Sequence, residues 1–312
     1  MNNEKLEYTK KVIDINWFIG RIESKWFSIS DVNITKNFLD KKWYYHTSTY
    51  IKCFCETVDW EDKTIIDKID FINVITLFNL DKKLQEKLLN AVLEIETFIK
   101  ADFIQRLSIN YKSPFWYLDR NNVAYRAEEN FKKSILKIQD DNKKSPAFKH
   151  FFEKYKWDFL PIRHIVEFSS FGSFTKLFDF LKDDDLFLFC SKYNAVSITN
   201  TGIMYDKEQL KQRLKWLSSL RNRLAHSEIS RSPKALPQII LPWFYLQLKL
   251  NTLSSYIQLI YHFLKMIDEE YAETFYTDCY YLLLEISKIK WIHIREFNKI
   301  GLKEWWEKRF KK

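Results

Sequence analysis

Apolar side chains recur three or four positions apart over much of the chain, which is the spacing of one buried helix face. The clearest run is LDKKLQEKLLNAVLEIETFIKADFIQRL at residues 80–107, the second of two helical stretches predicted between residues 62 and 107. Its repeating apolar positions are Leu84, Leu88, Val92, Ile95 and Ile99. On this register Glu94 faces solvent, while Glu96 lies at the edge of the apolar stripe.

Further patterns also favour helices. Asp31 is a plausible cap for a short helix over Ile34–Leu39, and residues 126–156 read as a helix, a polar linker and another helix. Residues 193–205, YNAVSITNTGIMY, predict either a short hairpin or a loop. Only 4 Gly and 6 Pro interrupt 312 residues, fewer than a sheet-rich fold of this length usually needs. We therefore predict an all-α fold, with a small N-terminal head at residues 1–60 and a helical domain at residues 61–312.

A helix predicted from Lys207 to His226 combines a leucine stripe with an unusual polar face. Asp206 and Gln209 form a capping-box pattern at its start. The core face is formed by Leu210, Leu214, Leu217, Leu220 and Leu224. The opposite stripe carries Lys211, Lys215, Asn222 and His226. Arg221 lies about 40° from the centre of the core face, so we expect its guanidinium to be partly buried and paired with a carboxylate, Glu96 first and Glu167 second.

Arg221 and His226 together suggest phosphodiester chemistry. Arginine offers a planar fork of donors for phosphate oxygens. Histidine side chains exchange protons near neutral pH and can act on a ribose 2′-hydroxyl or on the leaving oxygen without a metal ion. Simpler interpretations stay open, since outward lysines are usually solvated and Arg221 could be only a structural ion pair.

Charge and cysteine content change this picture little. The chain has 50 Lys and Arg against 41 Asp and Glu, a net charge of +9, which favours an acidic partner such as nucleic acid or an anionic membrane. Its cysteines, Cys53, Cys55, Cys190 and Cys279, show no zinc-ligand spacing with histidine, and the first two are expected to be buried thiols. Without a signal peptide or an apolar stretch of membrane-spanning length, we expect a cytoplasmic protein that does not enter a membrane.

The sequence LRNRLAH resembles the R-x4-6-H motif of HEPN-type ribonucleases, with Arg221, Asn222 and His226 in the motif positions. Residues 15–307 resemble the AbiD/AbiF-like abortive-infection proteins of bacteria. The similar segments are KKWYYHTSTY, the helix carrying Asp81 and Glu96, the stretch FLPIRHIVEFSSFGSFTKLF with Pro161, Glu167, Phe171 and Gly172, and IGLKEWW near the end. Arg163 departs from the family, which usually has Trp there.

The resemblance implies a HEPN-like helical bundle in phage defence that acts on RNA. It implies catalytic roles for Arg221, Asn222 and His226. We expect RNA contacts from Lys211, Lys215, Arg223 and Arg231, and structural support from Glu96 and Glu167. Because one convincing motif occurs per chain and HEPN nucleases often pair two, a homodimer with a composite site is expected. A structured non-coding RNA is an expected partner, and neither a metal ion nor another cofactor is expected.

Three functions remain open from the sequence. The first is a metal-independent endoribonuclease that leaves 2′,3′-cyclic phosphate and 5′-hydroxyl ends. The second is a non-catalytic RNA-binding module that acts as a ribonucleoprotein with a non-coding RNA. The third is a protein-interacting structural member of the family.

Overall fold

The computed structural model describes residues 14–25, 27–54, 69–155, 158–200, 206–226 and 253–289. These ranges are predominantly helical, which confirms the all-α prediction. The helices are α1 (Ile15–Lys25), α2 (Val32–Ile51), α3 (Ile72–Tyr111), α4 (Glu128–Asn142), α5 (Pro146–Lys154), α6 (Ile162–Phe168), α7 (Phe171–Thr175), α8 (Asp183–Asn200), α9 (Lys207–Ala225), α10 (Leu253–Lys265) and α11 (Glu269–Lys288). Strands in the described part of the chain are confined to β1 (Phe27–Ser28) and β2 (Ile69–Asp70), which pair in parallel.

The chain divides into two compact units. One consists of Met1–Lys83 and Leu282–Asn298, and the other of Leu84–Tyr281 and Lys299–Lys312. The division therefore falls within α3 and within α11. The boundary predicted at residue 60 lies outside the described residues.

A buried hydrogen bond joins α2 to α3 in the first unit. Tyr50, near the end of α2, donates its hydroxyl to Asp81 Oδ2 on α3 at 2.7 Å. Asp31 caps α2 as predicted, because its carboxylate accepts from the backbone N–H of Ile34 at 2.9 Å. The rings of Phe27 and Phe71 meet edge to face, which packs the small sheet into this core.

Three predicted elements need correction. The helix expected over Ile34–Leu39 lies in the first half of the longer α2, which continues to Ile51. The two stretches expected in residues 62–107 are, from Ile72 onward, one continuous helix, α3. Asp81 lies inside this helix, and its buried carboxylate accepts from the hydroxyl of Tyr50.

The third correction concerns the hairpin or loop predicted at residues 193–205. Residues up to Asn200 continue α8, and residues 201–205 lie outside the described part. The β-branched Val196, Ile198 and Thr199 suggested a strand, but propensity is a weak local preference that a long helix overrides.

The second unit is built around the middle of α3. All five apolar residues of the predicted stripe, from Leu84 to Ile99, are fully buried. One turn further on, Phe103 lies within 6.3 Å of four aromatic rings, those of Trp116, Phe174, Phe178 and Phe189. This aromatic cluster joins α3 to the short helical segments around α7 and to α8.

Helix α9 packs between α7 on one side and α10 on another. Trp216 of α9 stacks on Tyr256 of α10 with ring centroids 4.3 Å apart. His262 on α10 is buried, and its burial together with the charge of Arg213 lowers its pKa to about 3. This histidine is therefore neutral at physiological pH and is part of the core that supports α9.

Cys53, Cys190 and Cys279 are buried free thiols, and burial raises the pKa of Cys190 to about 11, whereas Cys55 lies outside the described residues. No helix within the described ranges is long and apolar enough to cross a bilayer.

Gly172 allows α7 to approach α9 closely. A Cβ at this position would lie 3.2 Å from Ser218 Oγ, which is buried against the same surface. We expect Gly172→Ala to lower the free energy of unfolding by about 1 kcal/mol, because overpacking outweighs the gain in helix propensity. Urea denaturation measures the change.

The matched control is Gly20→Ala in α1, where nothing lies within 4 Å of the added methyl group. It should raise stability by about 0.5–1 kcal/mol. In a Ser218→Ala background the cost of Gly172→Ala should largely disappear. An equal cost with and without Ser218 would show that this contact does not limit the packing.

Candidate functional site

Helix α9 carries the R-x4-H motif at its C-terminal end. It runs from Lys207 to Ala225, close to the predicted limits, and the Asp206 carboxylate accepts from the Gln209 N–H at 2.7 Å. All five predicted core leucines are buried. The predicted register is therefore confirmed.

Arg221 lies where that register places it, at the border of core and solvent. Its side chain is 37% exposed, and its Nε lies 3.7 Å from Glu96 Oε2 on α3. The distance is that of an ion pair and is too long for a hydrogen bond. Glu96, the first-choice partner, is thus confirmed as the carboxylate beside Arg221.

Glu96 and its neighbours form a small charged cluster under Arg221. The carboxylate, 11% exposed, also binds Lys100 one turn along α3 at 2.8 Å. Lys100 in turn donates to the backbone carbonyl of Ser169, between α6 and α7, at 2.8 Å. This chain of contacts fixes Arg221 relative to three elements of the second unit.

Asn222 and His226 are both exposed at the end of α9. His226 is the C-cap residue, and its backbone N–H donates to the carbonyl of Asn222 at 3.1 Å. The structure therefore brings Arg221, Asn222 and His226 onto one terminal segment, with the arginine anchored and the other two side chains directed away from the core.

The lysines on the polar stripe of α9 already have acidic partners. Lys211 pairs with Glu208 at 3.1 Å, and Lys215 pairs with Asp179 at 2.9 Å. Lys215 is half exposed, whereas Lys211 is largely covered, with a side-chain exposure of 17%. Part of their positive charge is balanced within the protein, which weakens the electrostatic attraction of each lysine for a phosphate.

The remaining predicted residues are placed differently. Arg223 is half-buried near Tyr256 and its charge acts on that hydroxyl, so it faces α10 as well as solvent. Arg231 lies outside the described residues. Glu167 is exposed, and among the described residues no ion pair joins it to Arg221; it lies close enough to His164 to influence that imidazole.

Two residues of this cluster were not anticipated from the sequence. Lys100 follows Glu96 by four positions, a spacing that signals a helical ion pair. Ser169 acts through its backbone carbonyl, for which the sequence carries no signal. In the described part of the chain no group of three or more His, Cys, Asp or Glu residues is placed to hold a metal ion.

A comparison with protein families finds a match that covers α9. The model of the family described as Abi-like protein matches residues 37–229, well over half of the chain and including the whole of α9. The chain belongs to the Abi-like protein family. Membership supports a role in phage defence by abortive infection. Neither the curated proteins nor the solved structures provide a match.

The segments on which the family resemblance rests meet in this Abi-like chain at two places. Tyr50 of the KKWYYHTSTY segment binds Asp81 in the first unit. In the second unit Glu96 meets Arg221, and Gly172 lies against α9 one turn before it. The first contact is buried and structural, whereas the second supports the end of the helix that carries the exposed polar residues.

Replacing Glu96 tests the support given to Arg221. Glu96→Gln leaves two cations without their carboxylate, and we expect a loss of about 1–2 kcal/mol, below the cost for a fully buried pair because Arg221 reaches solvent. Urea denaturation reports the loss. Glu94→Gln, on the exposed face of the same helix, should stay within about 0.5 kcal/mol of the wild type. Equal stability of the two variants would mean that Glu96 does not anchor α9.

Proposed function

We propose that this Abi-like protein is a metal-independent endoribonuclease of bacterial phage defence, with Arg221, Asn222 and His226 as its catalytic residues. The observation that carries the proposal is that Arg221 is held by a carboxylate and is still partly exposed. Its guanidinium is anchored by Glu96 yet 37% exposed, and it is followed within the next five positions by two exposed polar side chains, Asn222 and His226. An arginine that only stabilised the core would not need exposed partners of this chemistry.

The chemistry requires one anion-binding group and proton transfer. Arg221 holds the non-bridging oxygens of the scissile phosphate through the terminal nitrogens of its guanidinium, because its Nε is buried beside Glu96 while the side chain as a whole is 37% exposed. An imidazole of His226 accepts the proton of the ribose 2′-hydroxyl. The 2′-oxygen forms its bond to phosphorus, the bond to the 5′-oxygen breaks, and that oxygen takes a proton from imidazolium. The products are a 2′,3′-cyclic phosphate and a 5′-hydroxyl, and Asn222 orients the phosphate or the imidazole.

The base and the acid are needed on opposite sides of the phosphorus. One chain supplies one His226 on an exposed helix end, so two copies in a homodimer supply both groups. The proposed active unit is therefore a homodimer with a composite site at two facing α9 ends, and a structured non-coding RNA is the proposed regulator that binds the same basic protein.

His226→Ala separates chemistry from folding. The side chain is exposed, so the melting temperature should change little, whereas loss of the acid–base group should slow RNA cleavage on the order of 100-fold or more. Cleavage of a labelled RNA by purified protein, with mapping of the product ends, gives the rate and the chemistry. Gln105→Ala, an exposed polar residue on α3, is the control and should cut at the wild-type rate.

Mixed dimers test the composite site. A heterodimer of wild-type and His226→Ala chains should also be impaired, because each site draws on both chains. Full cleavage by a folded His226→Ala protein excludes catalysis at this motif. Strong RNA binding by the wild type and by the variant, without cleavage by either, selects the alternative function of a non-catalytic ribonucleoprotein.

Salt dependence tests whether the α9 lysines contact RNA. Each phosphate of single-stranded RNA that a lysine neutralises adds about 0.7 to the slope of log affinity against log salt. Lys211→Ala with Lys215→Ala should therefore reduce the slope by up to about 1.4, and by less if Glu208 and Asp179 retain the lysines. Lys132→Ala with Lys288→Ala removes two other ion-paired lysines and is the matched control. An identical slope in both double variants would assign Lys211 and Lys215 to helix stability alone.

A further inference from the structure

A cavity in the second unit is lined by cations and aromatic rings. It lies between α5 and α6, and its volume of about 480 Å³ is within the range of small-ligand pockets. Its lining includes the cations Lys154 and Arg163 and the rings of Phe151, Tyr155 and His164, and it contains no carboxylate side chain.

The cations of this cavity differ from those on α9. Among the described residues no ion pair is formed by Lys154 or Arg163, whereas Lys211, Lys215 and Arg221 each lie against a carboxylate. Arg163 directs only its Nε, at 3.4 Å, to Nδ1 of His164, which leaves the two terminal nitrogens of its guanidinium for a ligand. Lys154 Nζ lies over the ring of Tyr155, 5.4 Å from its centroid, so this cation and that ring share one opening. Two exposed cations without a carboxylate partner at that opening attract an anion.

The aromatic side supplies a stacking surface. The ring of Tyr155 is 45% exposed and packs against the buried ring of Phe151 at 5.0 Å, which holds it in place. Phe151 also contacts the imidazole of His164 at 5.5 Å. Burial and the charge of Arg163 lower the pKa of His164, against the opposing charge of Glu167, so this ring is neutral at pH 7 and adds a stacking and hydrogen-bonding edge.

The wall that carries Arg163 is held rigidly. The backbone N–H of Ile162 donates to the carbonyl of Pro114 at 2.9 Å, and the buried hydroxyl of Tyr117 donates to the carbonyl of Leu160 at 2.6 Å. A preformed wall avoids the entropy cost of ordering a loop on binding.

From these features we propose that the α5–α6 cavity binds a nucleotide, with the base stacked at Tyr155 and the phosphate held by Arg163 and Lys154. Aromatic rings bind bases of any identity through their π-faces, and the guanidinium fork fits phosphate oxygens. The same chemistry is offered by a free nucleotide and by an unpaired nucleotide of an RNA strand. The second source rests on the proposed RNA function, and the cavity would then hold RNA at a place separate from the cleavage motif.

Titration with AMP tests the cavity on the full chain. Binding is measured by calorimetry for AMP, adenosine, inorganic phosphate and a short single-stranded RNA. AMP should bind more tightly than adenosine or phosphate alone, and Tyr155→Ala with Arg163→Ala should weaken AMP at least about tenfold. Tyr125→Ala with Arg120→Ala removes an exposed tyrosine and an exposed arginine elsewhere and should leave AMP affinity unchanged. If the RNA binds more tightly than AMP, and Tyr155→Ala with Arg163→Ala weakens both to the same extent, the natural ligand is a nucleotide of an RNA strand.

Photo-crosslinking of 8-azido-AMP to the unmodified chain avoids dependence on the variants. Label recovered in peptides spanning residues 147–164 supports the cavity, and label confined to other segments overturns it. Equal AMP affinity in the cavity and control variants overturns it as well. His226→Ala should bind AMP with the wild-type affinity. AMP binding at the cavity by a protein that cleaves no RNA therefore supports the nucleotide site even where the nuclease proposal fails. Normal cleavage by a protein that binds no AMP rejects the cavity and keeps the nuclease.

Discussion

The contact between Arg221 and Glu96 is the constraint on which the arrangement of the second unit's polar residues depends. A guanidinium at the edge of a leucine stripe costs desolvation energy unless a carboxylate meets it. Glu96 supplies that carboxylate from the same helix whose apolar face forms the centre of the core, and it also pairs with Lys100 one turn along that helix. The end of α9 is thereby fixed to α3 through Arg221, while Asn222 and His226 are exposed.

The same contact is linked to the glycine in α7. For Arg221 to reach Glu96, the last turns of α9 must lie close to the α6–α7 connection, where Ser169 receives Lys100. A side chain at position 172 would crowd Ser218, one turn before Arg221. The Arg221–Glu96 pair and the close approach of Gly172 to Ser218 thus require the same position of α9. A change at either contact should therefore shift the other.

Much of this was predictable from helix periodicity. The leucines of α9 fixed its register, and that register correctly placed Arg221 on the border and Glu96 beside it. Three features could not be predicted, because they depend on contacts distant in sequence. The partner of Asp81 is Tyr50, 31 positions away, and the acidic partner of Lys215 comes from a segment 36 positions away. Residues 193–200 fit a hairpin or a loop until α8 is seen to continue through them.

The distribution of charge partners bears on how a protein of net charge +9 would bind the RNA proposed as its substrate. The surface of α9 holds lysines whose carboxylate partners must be displaced or shared when a phosphate approaches, which weakens binding at the place where cleavage is proposed. The α5–α6 cavity holds cations with no such competitor among the described residues. If an RNA is held mainly at the cavity, the motif can bind the scissile phosphate weakly in the ground state. Weak ground-state binding is compatible with catalysis, because only contacts that strengthen in the transition state accelerate the chemical step.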